Sequence, residues 1–412
     1  MYKLRNVKLK GSSIKFVKLV LVCGTSLLAA CTSTGSEKTT GKAASDDIKT
    51  NMKNSMVYVG TYAEEGDETI FLYNLNSETG ELLKVHGIKA GANPSYLVLD
   101  DQRKHLYTVN ETGDYKGMDS GAVSAFAVDG QTGDLTFLNR VASKGGAPCH
   151  ISIDKTGKTV LVANYMGGNV ASFGIQPDGE LSEAVDVVEH TGQGPNENRQ
   201  EAPHAHYVAA DPANRYALAV DLGTDKILGY KLDASQSKII PNEPNTAYTT
   251  VPGAGPRHLA FHPNGRYAYL INELNSTVDV LLYYNVQGTF IRLQTIPTIP
   301  ADYKENNQCA AIEVSADGKF VYGSNRGHNS IVVYKVDAAT GKLTLVEHEN
   351  TGGDWPRDFS IDPTGSILLV ANERSNNIVT FKVDKETGKL INSGYEAAVS
   401  KPTCLQVIAD FR

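Results

Sequence analysis

The stretch 256-PRHLAFHPNGRYAYLINE-273 decides the fold, because it is one copy of a pattern. Taken alone it is a short apolar run, a Pro-Asn-Gly turn and a second apolar run ending in Asn-Glu, which predicts two strands joined by a tight turn. The same layout stands without gaps in 94-PSYLVLDDQRKHLYTVNE-111, 148-PCHISIDKTGKTVLVANY-165 and 356-PRDFSIDPTGSILLVANE-373. The stretches 205-AHYVAADPANRYALAVDL-222 and 309-CAAIEVSADGKFVYGSNR-326 fit the same register. Self-similarity at a spacing of about fifty residues marks a repeat architecture.

Each copy continues in the same way. A third strand follows at 123-VSAF, 170-VASF, 227-ILGY, 278-VDVL, 331-IVVY and 378-IVTF, and an outer strand at 133-GDLTFL, 179-GELSEA, 288-GTFIRL, 341-GKLTLV and 388-GKLINS. Four short strands per repeat are the signature of a β-propeller blade. The chain ends fix the count. The segments 57-VYVGTY, 70-IFLYNL and 82-LLKVHG supply strands two, three and four without a strand one, and 404-CLQVIAD is a lone strand one. The expected fold is therefore all-β: a seven-bladed β-propeller of four antiparallel strands per blade, its ring closed by the C-terminal strand joining the N-terminal blade. Closure leaves no open sheet edge at the seam. A single Trp, Trp355, argues against a repeated Trp-Asp scaffold.

In such a ring the first strand lines the central channel, so equivalent positions at its start form a circle. The register places Ser95, Cys149, His206, Arg257, Ala310, Arg357 and Leu405 in one ring. Tyr96, His150, Tyr207, His258, Ala311 and Asp358 form the next, and Glu111, Tyr165, Leu222, Glu273, Arg326 and Glu373 follow the second strands. The scaffold positions are alike between repeats while these positions differ and favour His, Arg and Glu. A site grafted onto the repeats leaves that asymmetry. Caps and ion pairs at strand ends are the competing reading for any single residue.

The motifs 203-PHAHYVAADP, 256-PRHLAFHPNGRYAYLINE, 322-YGSNRGHNSI and 369-LVANERSNNI resemble the propeller-type lactonase family, which includes propeller 6-phosphogluconolactonases and fungal carboxymuconate-lactonizing enzymes. The resemblance spans residues 56–412. It implies a metal-independent site with no cofactor, made of His206, Arg257, Glu273 and Arg326, that hydrolyses a sugar-derived lactone. His206 would be the base, since histidine titrates near neutral pH. Glu273 would orient it or shuttle the proton itself. Arg257 and Arg326 would supply forked cationic donors for the oxyanion or a substrate anion. His150, His204, His258 and Arg357 are expected as substrate contacts or supports. Two other readings stand beside this one. The alternating pair 204-HAH-206 could ligate zinc with His150 or Glu273 as third ligand. The propeller could also be a non-catalytic, surface-anchored module that binds a carbohydrate or protein.

The N-terminus is a separate segment. Lys3, Arg5, Lys8, Lys10, Lys15 and Lys18 form a basic region without an acid, followed by an apolar run from Leu19 to Ala30. That run is short for a permanent span. It ends in 28-LAAC-31, which resembles a bacterial lipobox. Residues 1–30 are thus expected to be a lipoprotein signal peptide, with an ordinary secretory signal as the alternative. Residues 31–55 are expected to be a flexible polar tether starting at lipidated Cys31. That would hold the protein on the extracytoplasmic face of the cell membrane. Loss of six cationic residues would take the net charge from -7 to -13. An acidic body of this kind excludes nucleic acid as a partner, since phosphate binding needs a basic face. The expected partner is a small lactone, and the chain is expected to act as a monomer. Cys149, Cys309 and Cys404 are an odd set without close spacing, so they read as core residues and not as a disulfide framework.

Overall fold

The computed structural model of the chain describes residues 54–411. The proposed signal peptide, the lipidation at Cys31 and most of the tether lie outside the described residues. The first strand, Asn54–Thr61, starts two residues ahead of the expected boundary at 56. No helix occurs among the described residues, which form seven four-stranded antiparallel sheets and one two-stranded hairpin, Asp114–Tyr115 with Met118–Asp119.

Blade 1 pairs Asn54–Thr61 with the C-terminal strand Pro402–Ala409 on one side and Ile70–Asn76 on the other, with Leu82–Ile88 outermost. The chain ends therefore share a sheet, as the repeat pattern predicts. The innermost strands of blades 2 to 7 are Leu97–Leu99, Pro148–Ile153, Ala205–Ala210, Pro256–Phe261, Gln308–Val314 and Pro356–Ile361. Each touches the innermost strands of both neighbouring blades, and these contacts run full circle through Pro402–Ala409.

The core follows from this arrangement. The blade's second strand is buried on both faces, as in the all-buried Thr159–Asn164 and Ile367–Asn372, so it reads as a continuous apolar run and not as an alternation. Seven apolar clusters result, one between each pair of adjacent blades. A second device ties blades together. The hydroxyls of Tyr58, Tyr107, Tyr269 and Tyr322 donate to the carbonyls of Gly133, Gly179, Gly341 and Gly388 at 2.7, 3.1, 3.1 and 3.0 Å. Each acceptor belongs to the turn before an outer strand of the next blade, and each has φ between 71 and 88°, which favours glycine. The repeated Gly-x-Leu of the sequence is thus half of a blade-to-blade latch.

One irregularity positions the site. Where Pro256 faces Asn272 and His258 faces Ile271, Arg257 is the extra residue of a β-bulge. The same shift singles out Cys149, His206 and Arg357 in blades 3, 4 and 7. A bulge re-aims a side chain that a regular strand would send to the opposite face. It lets two successive residues serve the channel end of one strand.

Candidate active site

All seven blades and one inter-blade loop contribute to a single cavity of about 220 Å³. It is lined by Tyr62 of blade 1, Glu111, the bulge residues Cys149, His206 and Arg357, Tyr165, Glu273, Gln308 and Arg326, and by Arg199 from the loop between blades 3 and 4. Glu111, Tyr165, Glu273 and Arg326 occupy one repeat position, at or just after the end of the second strand. The bulges and the strand ends thus bring together residues far apart in the chain.

Glu273 is the electrostatic centre. Its Oε2 lies 2.7 Å from Arg326 Nη2 and 3.2 Å from Arg257 Nε, and its Oε1 accepts from Arg199 Nη2 at 2.5 Å. Burial would raise this carboxyl, but Arg326, Arg257 and Arg199 pull it down to about 2. It is permanently ionised at neutral pH and its lone pairs are occupied by guanidinium groups. It contacts arginines and not His206, so the expected orienting of the histidine is not what its geometry provides.

Arg326 has its Nε on the Gln308 carbonyl and its Nη2 on Glu273 and the Cys309 carbonyl, which leaves Nη1 without a hydrogen bond among the described residues. Trp355 lies under it, with the guanidinium carbon 5.3 Å from the ring centre. Arg257 is not part of the cavity wall. It is buried behind Glu273, 3.4 Å from His258 Nε2 through Nη1, and its Nε is misaligned for a hydrogen bond to the carboxylate. Burial, Arg326 and Arg357 push its guanidinium down to about 10, still a cation at neutral pH. Arg357 reaches the cavity 3.9 Å from Glu111 and 5.1 Å above the Tyr62 ring, whose hydroxyl donates to both Glu111 oxygens at 2.9 Å. Four arginines thus face two glutamates, and the cluster carries a net positive charge suited to an anion.

His206 lines the cavity with a buried Nδ1 that has no partner. Buried polar atoms are ordinarily paired, so this orphan at the cavity wall is an exception in the fold. Burial, then Arg257, His258 and Arg357, hold this imidazole well below the usual histidine range, so it is neutral at pH 7. His204 faces elsewhere. Its ring stacks on Tyr165 at 4.5 Å, its Nδ1 meets the Tyr165 carbonyl at 3.0 Å and its Nε2 meets Glu201 at 3.1 Å. It precedes the strand, and the bulge at His206 breaks the alternation that would align the pair. Among the described residues no group of three or more His, Cys, Asp or Glu side chains is placed to hold a metal ion. His150 and His258 lie deeper. With Tyr96 and Tyr207 they pack ring against ring, 4.4 to 5.9 Å apart, and fill the channel. Burial and Arg257 bring His150 down to about 3. The Cys149 thiol is pushed far up, chiefly by burial, and stays protonated.

Sequence reasoning missed Arg199 as a site residue. It lies outside the repeats, where register gives no equivalent position. Glu111 and Tyr165 stood in the same ring as Glu273, but their types alone did not single them out.

The family described as lactonase, 7-bladed beta-propeller, matches residues 56–407. A 6-phosphogluconolactonase of Bacillus subtilis (strain 168) is 41% identical over 312 residues, covering 76% of this chain and 86% of its own. A 6-phosphogluconolactonase of Formosa agariphila is 35% identical over 323 residues, covering 76% and 88%. The solved structure of a periplasmic gluconolactonase from Pseudomonas aeruginosa is 32% identical, with a TM-score of 0.81 over 87% of this chain and 99% of that one.

Proposed function

The chain belongs to the seven-bladed β-propeller lactonase family, and on that premise we propose that it hydrolyses a sugar-derived lactone in the cavity lined by His206, Glu273 and Arg326, at the mouth of the channel. The observation that carries this reading is the pairing of a neutral, buried, unpartnered imidazole with fixed guanidinium groups across one small cavity. Ester hydrolysis needs a base for water and donors for the carbonyl oxygen. His206 takes a proton from water as the oxygen attacks the lactone carbonyl carbon. The oxyanion forms against Arg326, whose Nη1 is unspent. The tetrahedral intermediate collapses, the ring C–O bond breaks, and His206 returns the proton to the departing alkoxide to leave the hydroxy acid. Lactone carbonyls are reactive electrophiles, so a weakly basic imidazole suffices. Glu273 stays ionised and sets the angles of Arg326 and Arg257, and burial together with Arg257 holds His206 neutral.

The N-terminal reading favours an unphosphorylated aldonolactone. Sugar phosphates are made and used in the cytoplasm, whereas 28-LAAC-31 proposes a lipid anchor at Cys31 on the other side of the membrane. The periplasmic address in the name of the Pseudomonas aeruginosa relative supports that side. All the site residues come from one chain, so a monomer is sufficient. The test is a lactone panel, neutral and phosphorylated, assayed by pH-stat with purified residues 32–412, with and without chelator. Wild-type protein opens at least one lactone faster than the spontaneous background and Arg326→Ala loses about 10²–10³ of the excess rate. Equal rates at background for both proteins reject the hydrolase reading in favour of a binding module. In cells, Cys31→Ala moves the protein from the membrane to the soluble fraction; an unchanged distribution rejects the anchor.

A further inference from the structure

One backbone conformation recurs at the entry to the inner strand. The residue ahead of that strand's proline is left-handed in five blades, where Asn93, Ala147, Gly255, Trp355 and Lys401 have φ of 44, 50, 61, 67 and 41°. Glycine and asparagine tolerate that region, whereas a bulky side chain is an outlier there. Trp355 is the chain's single tryptophan and has the largest φ of the five. Blade 5 shows that the scaffold does not need it. There the Gly255 carbonyl accepts from the Glu273 N–H at 2.7 Å and the Ala254 carbonyl from the Leu274 N–H at 3.0 Å. In blade 7 the Trp355 carbonyl accepts from the Glu373 N–H at 3.0 Å and the Asp354 carbonyl from the Arg374 N–H at 3.1 Å. The same backbone frame is built once around glycine and once around the largest side chain.

The ring does not feed the core either. Trp355 is half-buried and belongs to none of the seven apolar clusters. It packs on two arginines, with the guanidinium carbon of Arg374 3.4 Å and that of Arg326 5.3 Å from the ring centre. Its backbone serves the same neighbour. Asn329 Oδ1 accepts from the Trp355 N–H at 3.0 Å and from the Gly327 N–H at 3.2 Å, so the turn that leaves Arg326 and the entry to blade 7 share one acceptor. Strain kept at one residue without a return in core packing points to function. The hydrogen bonds of Arg326 run through Nε and Nη2 alone. They hold one edge of the guanidinium, and a tilt about that edge would carry Nη1 away. A cation held against an aromatic ring resists such a tilt. We propose that Trp355 is a positioning residue for lactone opening: its ring holds Arg326 at the angle that aims Nη1 at the oxyanion, and the exposed Arg374 keeps the ring in place. The inference rests on the lactonase reading and adds to it a residue outside the cavity wall.

The experiment is a double-mutant cycle on whichever lactone wild-type protein opens fastest, with Trp355→Gly, Trp355→Phe and Arg374→Ala each made in wild type and in Arg326→Ala. Glycine fits a φ of 67° without strain, so Trp355→Gly removes the ring and spares the backbone. In the wild-type background it lowers kcat about tenfold and moves KM less than about twofold, since the oxyanion contact forms only in the transition state. Trp355→Phe keeps a ring and recovers most of the loss. Arg374→Ala leaves the strained residue itself unchanged and shows part of the loss, so the cycle also closes without altering that position. In the Arg326→Ala background none of the three costs further rate, because residues that act through one another are not additive. A loss by the same factor in both backgrounds means that Trp355 supports the fold alone, and overturns the inference while the lactonase reading stands. A Trp355→Gly enzyme as fast as wild type overturns it too. Wild-type protein that opens no lactone overturns the lactonase reading and this inference with it.

Discussion

Replacing Glu273 with glutamine removes the one charge on which three arginines converge, and its cost can be worked from the structure. The carboxyl drops from an ordinary 4.5 to about 2 in the fold. At about 1.4 kcal/mol per pH unit, that makes the ionised form worth about 3 kcal/mol to the native state. The figure agrees with the cost of about 3–5 kcal/mol for breaking a buried pair by removing one partner. The sign follows from which state binds the proton first. As pH falls through 4.5 the unfolded chain takes it up while the folded chain does not, so stabilisation is full above about pH 5.5 and is lost towards pH 2. Glu273→Gln should therefore unfold at lower guanidinium concentration at pH 7, by about 3 kcal/mol, and the gap from wild type should shrink as pH drops from 5 to 3. Lactone turnover at pH 7 should fall about 10²–10³ as Arg326 loses its fixed angle. Equal stabilities at pH 7, or a gap that widens on acidification, would refute the reasoning.

Three further outcomes are expected. His206 is held neutral well below pH 6.5, so kcat/KM should show no inflection at 6.5, and His206→Gln should cut kcat about 10²–10⁴; an acidic limb centred at 6.5 in the wild-type profile contradicts this. A Cβ on Gly223 would stand 1.9 Å from the Ala202 carbonyl oxygen. Gly223→Ala should therefore push that carbonyl outward and with it the Arg199 loop, raising KM while circular dichroism shows the β-sheet intact; an unchanged KM tells against the close approach. Tyr269→Phe should leave activity alone and cost about 1 kcal/mol in denaturant unfolding, since it strands the Gly341 carbonyl across a blade interface; no loss would mean that the latch does not bear on stability.

Much of this was legible in the sequence, for a physical reason. A propeller repeats one supersecondary unit, so strand, turn and strand recur in register, and the missing strand one of the first blade and the lone strand at 404-CLQVIAD announce the ring closure. Register also put Arg257 and His258, or His206 and Tyr207, into neighbouring rings. It could not show how successive side chains of one strand both serve the channel end, because the β-bulge that frees Arg257 from pairing has no signature in residue type. For the same reason the alternation of 204-HAH-206 suggested two imidazoles on one face, and the bulge separates them. Arg257 read as a direct donor, whereas packing sets it behind Glu273, a distinction that depends on depth and not on spacing. Arg199 was invisible because a loop outside the repeat has no equivalent positions against which to stand out.

The account turns on His206, Glu273 and Arg326 acting on one bound lactone. A crystal structure of residues 32–412 with gluconate, the hydrolysis product, tests this most directly. The account predicts the new carboxylate within hydrogen-bond distance of Arg326 and beside the His206 ring, with Glu273 still between its arginines. Gluconate bound on another face of the propeller, with this cavity holding solvent alone, would contradict it.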